Sequence, residues 1–219
     1  MKSLKWSNVP ELWQECFRVA WDSFQDSSRP VGAVVINEKD EIVGRGKSAS
    51  FEMPYYTVIN HNDLARAEIN ALLKLDKRIH TNLEQYMIMS TLEPCPLSYG
   101  AIYMSGIRHI HFAALNGRNG SMNVNDATPF LSQKPVNMSG PKEYLEDFSI
   151  VLNVYYDLTK SQQKHRRNFM EMERYYPEAA SIAKEWKKTD RLDQSSHLTV
   201  GKVYTWFLED IEKNLKINA

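Results

Sequence analysis

The stretch that decides the fold is Thr91-Leu92-Glu93-Pro94-Cys95-Pro96-Leu97-Ser98. It follows residues 86–91 (YMIMST), an apolar run that predicts a strand, and it opens a helix that continues through Met104. Proline suits the first turn of a helix because its missing N–H would have no partner there. Residues 109–114 (HIHFAA) predict the next buried strand. The octapeptide is therefore a strand-to-helix connection inside an α/β unit.

Upstream of this stretch, the sequence predicts a hairpin and two helices. Residues 30–36 (PVGAVVI) predict a buried strand, and residues 41–46 predict the strand that returns after a turn at 37–40. Residues 64–75 are rich in Ala, Leu and Glu, which favour helix. Apolar residues at spacings of three and four over 10–24 predict a further helix.

Downstream, a long loop and a helical region are expected. Residues 116–141 contain several Gly and Pro and predict a loop, and residues 148–156 (FSIVLNVYY) predict one more strand. The remainder predicts helices. We expect an α/β domain over residues 1–158 and a helical C-terminal extension over residues 159–219 that packs on the same core.

Composition excludes several classes of protein. The 219 residues are 42% hydrophobic with a formal net charge of zero, which indicates a globular chain and not one whose whole surface binds nucleic acid. The two cysteines, Cys16 and Cys95, form no spacing motif that would predict a disulfide framework. No apolar run is long enough for a signal peptide or a membrane span, so we expect a cytoplasmic protein without a membrane partner.

Two segments carry the residue types of a chemical site. Residues 65–68 (ARAE) and residues 91–98 each open a predicted helix directly after a loop or strand. Helix N-termini present free backbone N–H groups and the positive end of the helix dipole. We expect the two N-termini to face one another across a polar pocket.

These segments resemble the cytidine/deoxycytidylate deaminase superfamily, and within it the branch of tRNA adenosine and guanine deaminases. The family signature is H-x-E followed by P-C-x-x-C. The resemblance also covers residues 30–34 and 91–114 and extends over about residues 8–158. It implies a cytidine-deaminase-like three-layer α/β/α sandwich, and a homodimer. It also implies a zinc ion held by one imidazole and two thiolates, with a fourth position for water.

Carried over position by position, the resemblance is incomplete. Glu68 stands at the position of the proton-shuttling glutamate, and Cys95 at the first cysteine position. Arg66 stands where the histidine is expected, and Ser98 where the second cysteine is expected. A guanidinium has no lone pair for a metal, and a neutral hydroxyl is a poor zinc ligand beside a thiolate. Ser48 replaces a substrate-contacting asparagine of the nearest relatives.

The predicted pocket and its cofactor follow from this. Besides Ser48, the residues expected to line it are His61, Glu93 and Pro94. We expect no cofactor, or zinc if an unorthodox ligand set holds it. We also expect the Arg66 guanidinium to turn toward the position of the lost ligand and to hydrogen-bond Glu68 or a bound anion.

Three functions remain open at this point. The first is a pseudo-deaminase that binds a nucleobase, nucleoside or nucleotide without zinc-hydroxide chemistry. The second is an active zinc-dependent nucleoside or tRNA deaminase. The third is a non-catalytic partner subunit of a deaminase. A tRNA partner could contact residues 160–167 (KSQQKHRR) through its phosphates, but such a charged run is more often the solvated face of a helix.

Overall fold

The computed structural model describes residues 5–50, 59–117, 119–195 and 197–217. These residues form a mixed five-stranded sheet in the order β2-β1-β3-β4-β5. The strands are β1 (Gly32–Ile36), β2 (Ile42–Lys47), β3 (Met87–Ser90), β4 (His109–Phe112) and β5 (Asn137–Ser139). The α-helices are α1 (Glu11–Gln25), α2 (Ala67–Leu72), α3 (Pro96–Ser105), α4 (Pro129–Ser132), α5 (Glu143–Leu158), α6 (Gln163–Tyr175), α7 (Pro177–Lys188) and α8 (Val200–Ile217).

The sheet combines a hairpin with a parallel half. β1 pairs antiparallel with both β2 and β3, whereas β3, β4 and β5 run parallel. Ser90, the last residue of β3, pairs with Ala33 of β1 and with Phe112 of β4. The strand β3 therefore lies at the centre of the sheet, and the chain leaves it directly into the octapeptide that opens α3.

Glycines show which helices cover which face of the sheet. A Cβ on Gly32 would collide with the backbone of α1, and a Cβ on Gly46 would collide with the backbone of α2 at Ala67 and Ala71. Gly32 and Gly46 lie at adjacent register positions, because Gly46 pairs with Ala33. Neighbouring positions in a strand point to opposite faces, so α1 and α2 cover opposite sides. This confirms the predicted α/β sandwich.

The predicted strand at residues 148–156 is wrong, because this segment lies within α5. Its apolar side chains are fully buried from Phe148 to Tyr155. A helix that is covered on all sides has no polar face, so its sequence shows a continuous apolar run that periodicity cannot distinguish from a buried strand. The predicted loop at residues 116–141 contains the short helix α4 and the short strand β5.

The C-terminal helices contact α1 and α5 through one hydrogen bond and a group of aromatic rings. Trp21 of α1 donates its Nε1–H to the carbonyl of Leu198 at 2.7 Å. The ring of Phe148 lies 5.0 Å from Tyr204 and 5.4 Å from Phe207 of α8. The domain boundary after residue 158 stays a prediction. Within the described ranges, the helices are too short or too polar to span a membrane.

Candidate functional site

The N-termini of α2 and α3 meet, as the sequence predicts. Arg66 is the N-cap of α2 and Cys95 is the N-cap of α3, and both have extended backbone angles. Both caps lack a side-chain hydrogen bond to their helix. Glu68 is the second residue of α2 and Ser98 the third residue of α3, so the two side chains face each other across the junction.

Glu68 is the centre of this junction. The residue is only 4% exposed, and both of its carboxylate oxygens accept hydrogen bonds from buried serines. Ser90 donates to Oε1 at 2.8 Å, and Ser98 donates to Oε2 at 2.9 Å. A buried carboxylate requires such donors, because it loses its hydration on burial and only hydrogen bonds within the protein can compensate for that loss.

Cys95 extends the same hydrogen-bonded chain. Its Sγ lies 3.5 Å from the hydroxyl of Ser98. A serine hydroxyl has a single proton, and that proton is already directed at Glu68. Cys95, Ser98 and Glu68 thus form one chain of contacts, in which the Ser98 hydroxyl lies between the sulfur and the carboxylate.

Arg66 does not bind Glu68, so the expected pairing of these two residues is wrong. The carboxylate is occupied by serines, and a two-residue offset on a helix separates the side chains. The Nε of Arg66 is buried and has no hydrogen-bond partner among the described residues. The other half of that expectation, an anion beside Arg66, stays a prediction.

The described donor set at this junction does not fit a zinc ion. No group of three His, Cys, Asp or Glu side chains suited to a metal occurs within the described ranges. At the family's ligand positions only Cys95 is a zinc-binding residue type, and its Sγ lies 3.5 Å from the Ser98 hydroxyl. A protein zinc site needs three or four such ligands. Whether the protein binds zinc stays a prediction for measurement.

A cavity of about 410 Å³ opens over the junction. Of the residues predicted for the site, Ser48, Arg66, Glu68, Glu93, Cys95 and Ser98 line it. His61 is exposed with a left-handed backbone (φ 52°), and Pro94 is buried, and neither is among the lining residues. The structure thus brings together six of the eight.

Glu93 lines the cavity, and its carboxylate binds the backbone of the loop that follows β4. Its Oε2 accepts from the backbone N–H of Asn116 at 3.0 Å, and its Oε1 accepts from that of Met122 at 2.8 Å. A Cβ on Gly120 would collide with this carboxylate. Glu93 therefore anchors the loop that follows β4, and its charge is already satisfied within the protein.

A second group of cavity residues was missed by the sequence analysis. Asp157, at the end of α5, forms an ion pair with Arg29 and accepts from His165 Nδ1 at 2.6 Å. Arg29, Tyr156 and His165 line the cavity, whereas the side chain of Asp157 is completely buried behind them. Burial raises the pKa of Tyr156 to about 12, although the nearby Arg29 charge opposes the shift. No local pattern links residues this far apart in sequence.

Comparison with known proteins identifies relatives of the first half of the chain. Residues 7–114 match the family model of the cytidine and deoxycytidylate deaminase zinc-binding region. The chain is 40% identical over 91 residues to a tRNA-specific adenosine deaminase of Buchnera aphidicola, covering 39% of this chain and 48% of that protein. It is 35% identical over 109 residues to a tRNA(Ile)-lysidine synthase of Deinococcus radiodurans, covering 49% of this chain and 18% of that protein. The matched stretch thus spans less than half of either relative.

A solved structure supports the fold. A crystal structure of a protein in complex with 8-azaguanine superposes with a TM-score of 0.50 at 18% identity, covering 66% of this chain and 81% of that chain. The family model ends at residue 114, so Asp157 and His165 lie beyond it.

Proposed function

We propose that this chain is a deaminase-fold protein that binds a nucleobase, nucleoside or nucleotide without zinc-hydroxide chemistry; the match of residues 7–114 to the cytidine and deoxycytidylate deaminase family model supports the fold. The cavity over Glu68 is the binding site. Its volume of about 410 Å³ lies in the range of small-molecule sites, which is roughly 300–1,000 Å³. A relative that is a tRNA-specific adenosine deaminase supports a ligand that contains a nucleobase.

The hydrogen bond from Ser98 to Glu68 carries the proposal. In a zinc deaminase the glutamate passes a proton between a metal-bound water and the base. Here each oxygen of Glu68 is held by a serine hydroxyl instead. Hydrogen bonds to a charged group contribute about 1.5–3 kcal/mol each. Two of them stabilise the buried carboxylate without a metal, so the lost ligands leave no uncompensated charge at this position.

Zinc content tests the metal-free part of the proposal. Elemental analysis of protein purified without chelators should give well under one zinc per chain, and adenosine and cytidine should not be deaminated. Near-stoichiometric zinc that is lost in Cys95→Ala would instead support the active deaminase. Calorimetric titration with the four ribonucleosides tests the binding part, and the proposal predicts that at least one of them binds. No binding of any nucleoside or nucleotide would refute it.

Restoring the family ligands sharpens this test. The double variant Arg66→His with Ser98→Cys should gain close to one zinc per chain. Two thiolates at Zn–S distances of about 2.3 Å in a tetrahedron are about 3.8 Å apart, close to the present 3.5 Å between Cys95 Sγ and Ser98 Oγ. The matched control is Arg66→His with Ser105→Cys, which places the new thiol at the far end of α3. A folded Arg66→His, Ser98→Cys variant without zinc would show that the pocket has diverged beyond its two ligand positions.

A further inference from the structure

His165 has an unused hydrogen-bonding atom at the wall of the cavity. Its side chain is 5% exposed, and its Nε2 is buried without a hydrogen-bond partner among the described residues. A buried polar atom left unpaired costs about 1–3 kcal/mol. Because His165 lines the cavity, a bound ligand is in a position to satisfy this atom.

The imidazole is held in one orientation by groups behind it. The Nδ1 of His165 lies 2.6 Å from Oδ1 of Asp157, so Nδ1 carries the proton that is shared with this carboxylate. Asp157 is fixed in turn by Arg29, which also donates to Asn153 at 3.2 Å. The ring of Tyr156 meets the imidazole edge to face at 5.5 Å. This support fixes the direction of Nε2 before any ligand arrives.

Further nitrogen donors line the same cavity. The Nε of Arg66 is buried and unpartnered among the described residues. Lys164 precedes His165 in the first turn of the 13-residue helix α6, where the helix dipole favours a negative charge. Its only described ion pair is a 3.5 Å contact with Asp63, and both side chains are more than half exposed.

Acidic side chains on the cavity wall do not cancel this arrangement. Glu68 and Glu93 are occupied by serine and backbone donors. Asp63 and Glu171 also line the cavity: Asp63 is 77% exposed and contacts Lys164 at 3.5 Å, and Glu171 lies six residues further along α6 than His165. Among the described cavity residues, the buried side-chain atoms without a partner are nitrogens, which suits a ligand with several acceptor oxygens.

We propose that this wall, formed by Arg66, Lys164 and His165, binds the phosphate monoester of a nucleoside monophosphate. The proposal rests on the proposed function and narrows its ligand class. A phosphate monoester has a second pKa near 6, so it exists near neutral pH both with and without a P–O–H group. The protonated form donates to a neutral Nε2, and the dianion accepts from an imidazolium. A phosphodiester of RNA has no such proton and matches the imidazolium form alone.

Calorimetric titration of the full chain tests this assignment with paired ligands. The probes are the four ribonucleosides, their 5′-monophosphates and the 5′-(methyl phosphate) diesters. At least one monophosphate should bind about tenfold or more tighter than its nucleoside, which is about 1.4 kcal/mol. The corresponding diester should bind more weakly than the monoester. Diester affinity equal to or above that of the monoester would indicate a nucleic-acid backbone and overturn the proposal.

Variants separate the phosphate wall from the rest of the pocket. His165→Gln should remove most of the affinity advantage that a monophosphate has over its nucleoside. Lys164→Gln, at an exposed position that the fold does not depend on, should reduce monophosphate affinity about two- to fivefold. His197→Gln, exposed and outside the cavity lining, is the matched control and should change neither affinity.

The possible failures are distinguishable. If nucleosides bind but their monophosphates bind no tighter, the phosphate wall is refuted and the proposed function stands. If neither class of ligand binds, both are refuted. If His165→Gln and Lys164→Gln both leave the monophosphate advantage intact, the phosphate lies elsewhere and the assignment to this wall is wrong.

Discussion

Two buried carboxylates lie near the same cavity, and their partners differ in kind. Glu68 receives hydrogen bonds from two neutral hydroxyls, those of Ser90 and Ser98. Asp157 lies between a guanidinium and an imidazole, those of Arg29 and His165. Glu68 belongs to the part of the chain that matches the family model, whereas Asp157 lies beyond it.

The difference lies in which atoms each wall leaves for a ligand. Around Glu68, Ser90 and Ser98 use their hydroxyl protons within the protein, and both carboxylate oxygens are occupied. Around Asp157, the charges pair with each other but leave Nε2 of His165 buried without a hydrogen-bond partner among the described residues. The family-type wall (Arg66, Glu68, Cys95 and Ser98) therefore satisfies its carboxylate but leaves Nε of Arg66 without a described partner, and the wall from α5 and α6 leaves Nε2 of His165 in the same state.

The largest difference between the two walls is expected when each buried carboxylate is replaced by its neutral amide. Asp157→Asn leaves Arg29 beside a neutral amide in a buried site, and should lower the free energy of unfolding by about 3 kcal/mol. Glu68→Gln keeps an amide oxygen for one serine and should cost only about 1 kcal/mol. Urea unfolding followed by circular dichroism measures both.

Asp190→Asn is the matched control for this pair. Asp190 pairs with Lys187 at the surface, where its side chain is 56% exposed, so the change should cost about 1 kcal/mol or less. Equal costs for Asp157→Asn and Glu68→Gln would contradict the claim that the two carboxylates are held by interactions of different strength.

A smaller effect is expected from a substitution that displaces helix α2 and leaves the side chains of the family-type wall unchanged. Gly46→Ala would push a methyl group into the backbone of α2 at Ala67 and Ala71, the helix that carries Glu68. Overpacking of this kind costs about 1–3 kcal/mol, and the displaced helix should also weaken nucleoside binding. Thermal unfolding and calorimetric titration measure the two consequences.

Gly100→Ala provides the control for the same substitution in open space. No heavy atom lies within 4 Å of a Cβ built at Gly100 of α3, and alanine is favoured over glycine in a helix by up to about 1 kcal/mol. This variant should be as stable as the parent or more stable. A Gly46→Ala protein that unfolds at the same temperature as the parent would show that α2 can move away from β2 at no cost. The claim that close packing holds α2 and Glu68 in place would then be wrong.

The two walls also differ in how far the sequence could predict them. The positions of the first wall could be predicted from local sequence, because Arg66, Glu68, Cys95 and Ser98 lie at the starts of two helices. Those starts are indicated by the preceding loop or strand and, for α3, by a proline in its first turn. Its contacts are still long-range, and the serine at position 90 was not expected to bind Glu68. The sequence motif fixed the positions, but the hydrogen bonds required the packing of α2 against α3.

The second wall was hidden by a misassigned element. Reading residues 148–156 as a strand left Asp157 at a strand end, without the helical register that directs it toward Arg29. His165 was noted only as part of a charged run, since a solvated helix face and a buried imidazole look alike in sequence. Arg29 and Asp157 are 128 residues apart, and no periodicity connects such a pair.

The smallest effect concerns His111 on β4, a histidine outside both walls. Burial lowers the pKa of His111 on β4, and the charges of Lys142 and His109 lower it further. As the pH falls through about 6.5, the unfolded chain takes up a proton at this residue before the native protein does. The unfolded state then binds more protons, so stability declines with falling pH until the native pKa is passed.

His111→Gln removes this contribution, so its melting temperature should decline less steeply between pH 7.5 and pH 5 than that of the parent. His197→Gln, an exposed histidine, should leave the slope unchanged. An unchanged slope in His111→Gln would mean that other groups cause the loss of stability at acid pH. If the slope flattens as expected, the decline that remains in His111→Gln belongs to other titrating groups.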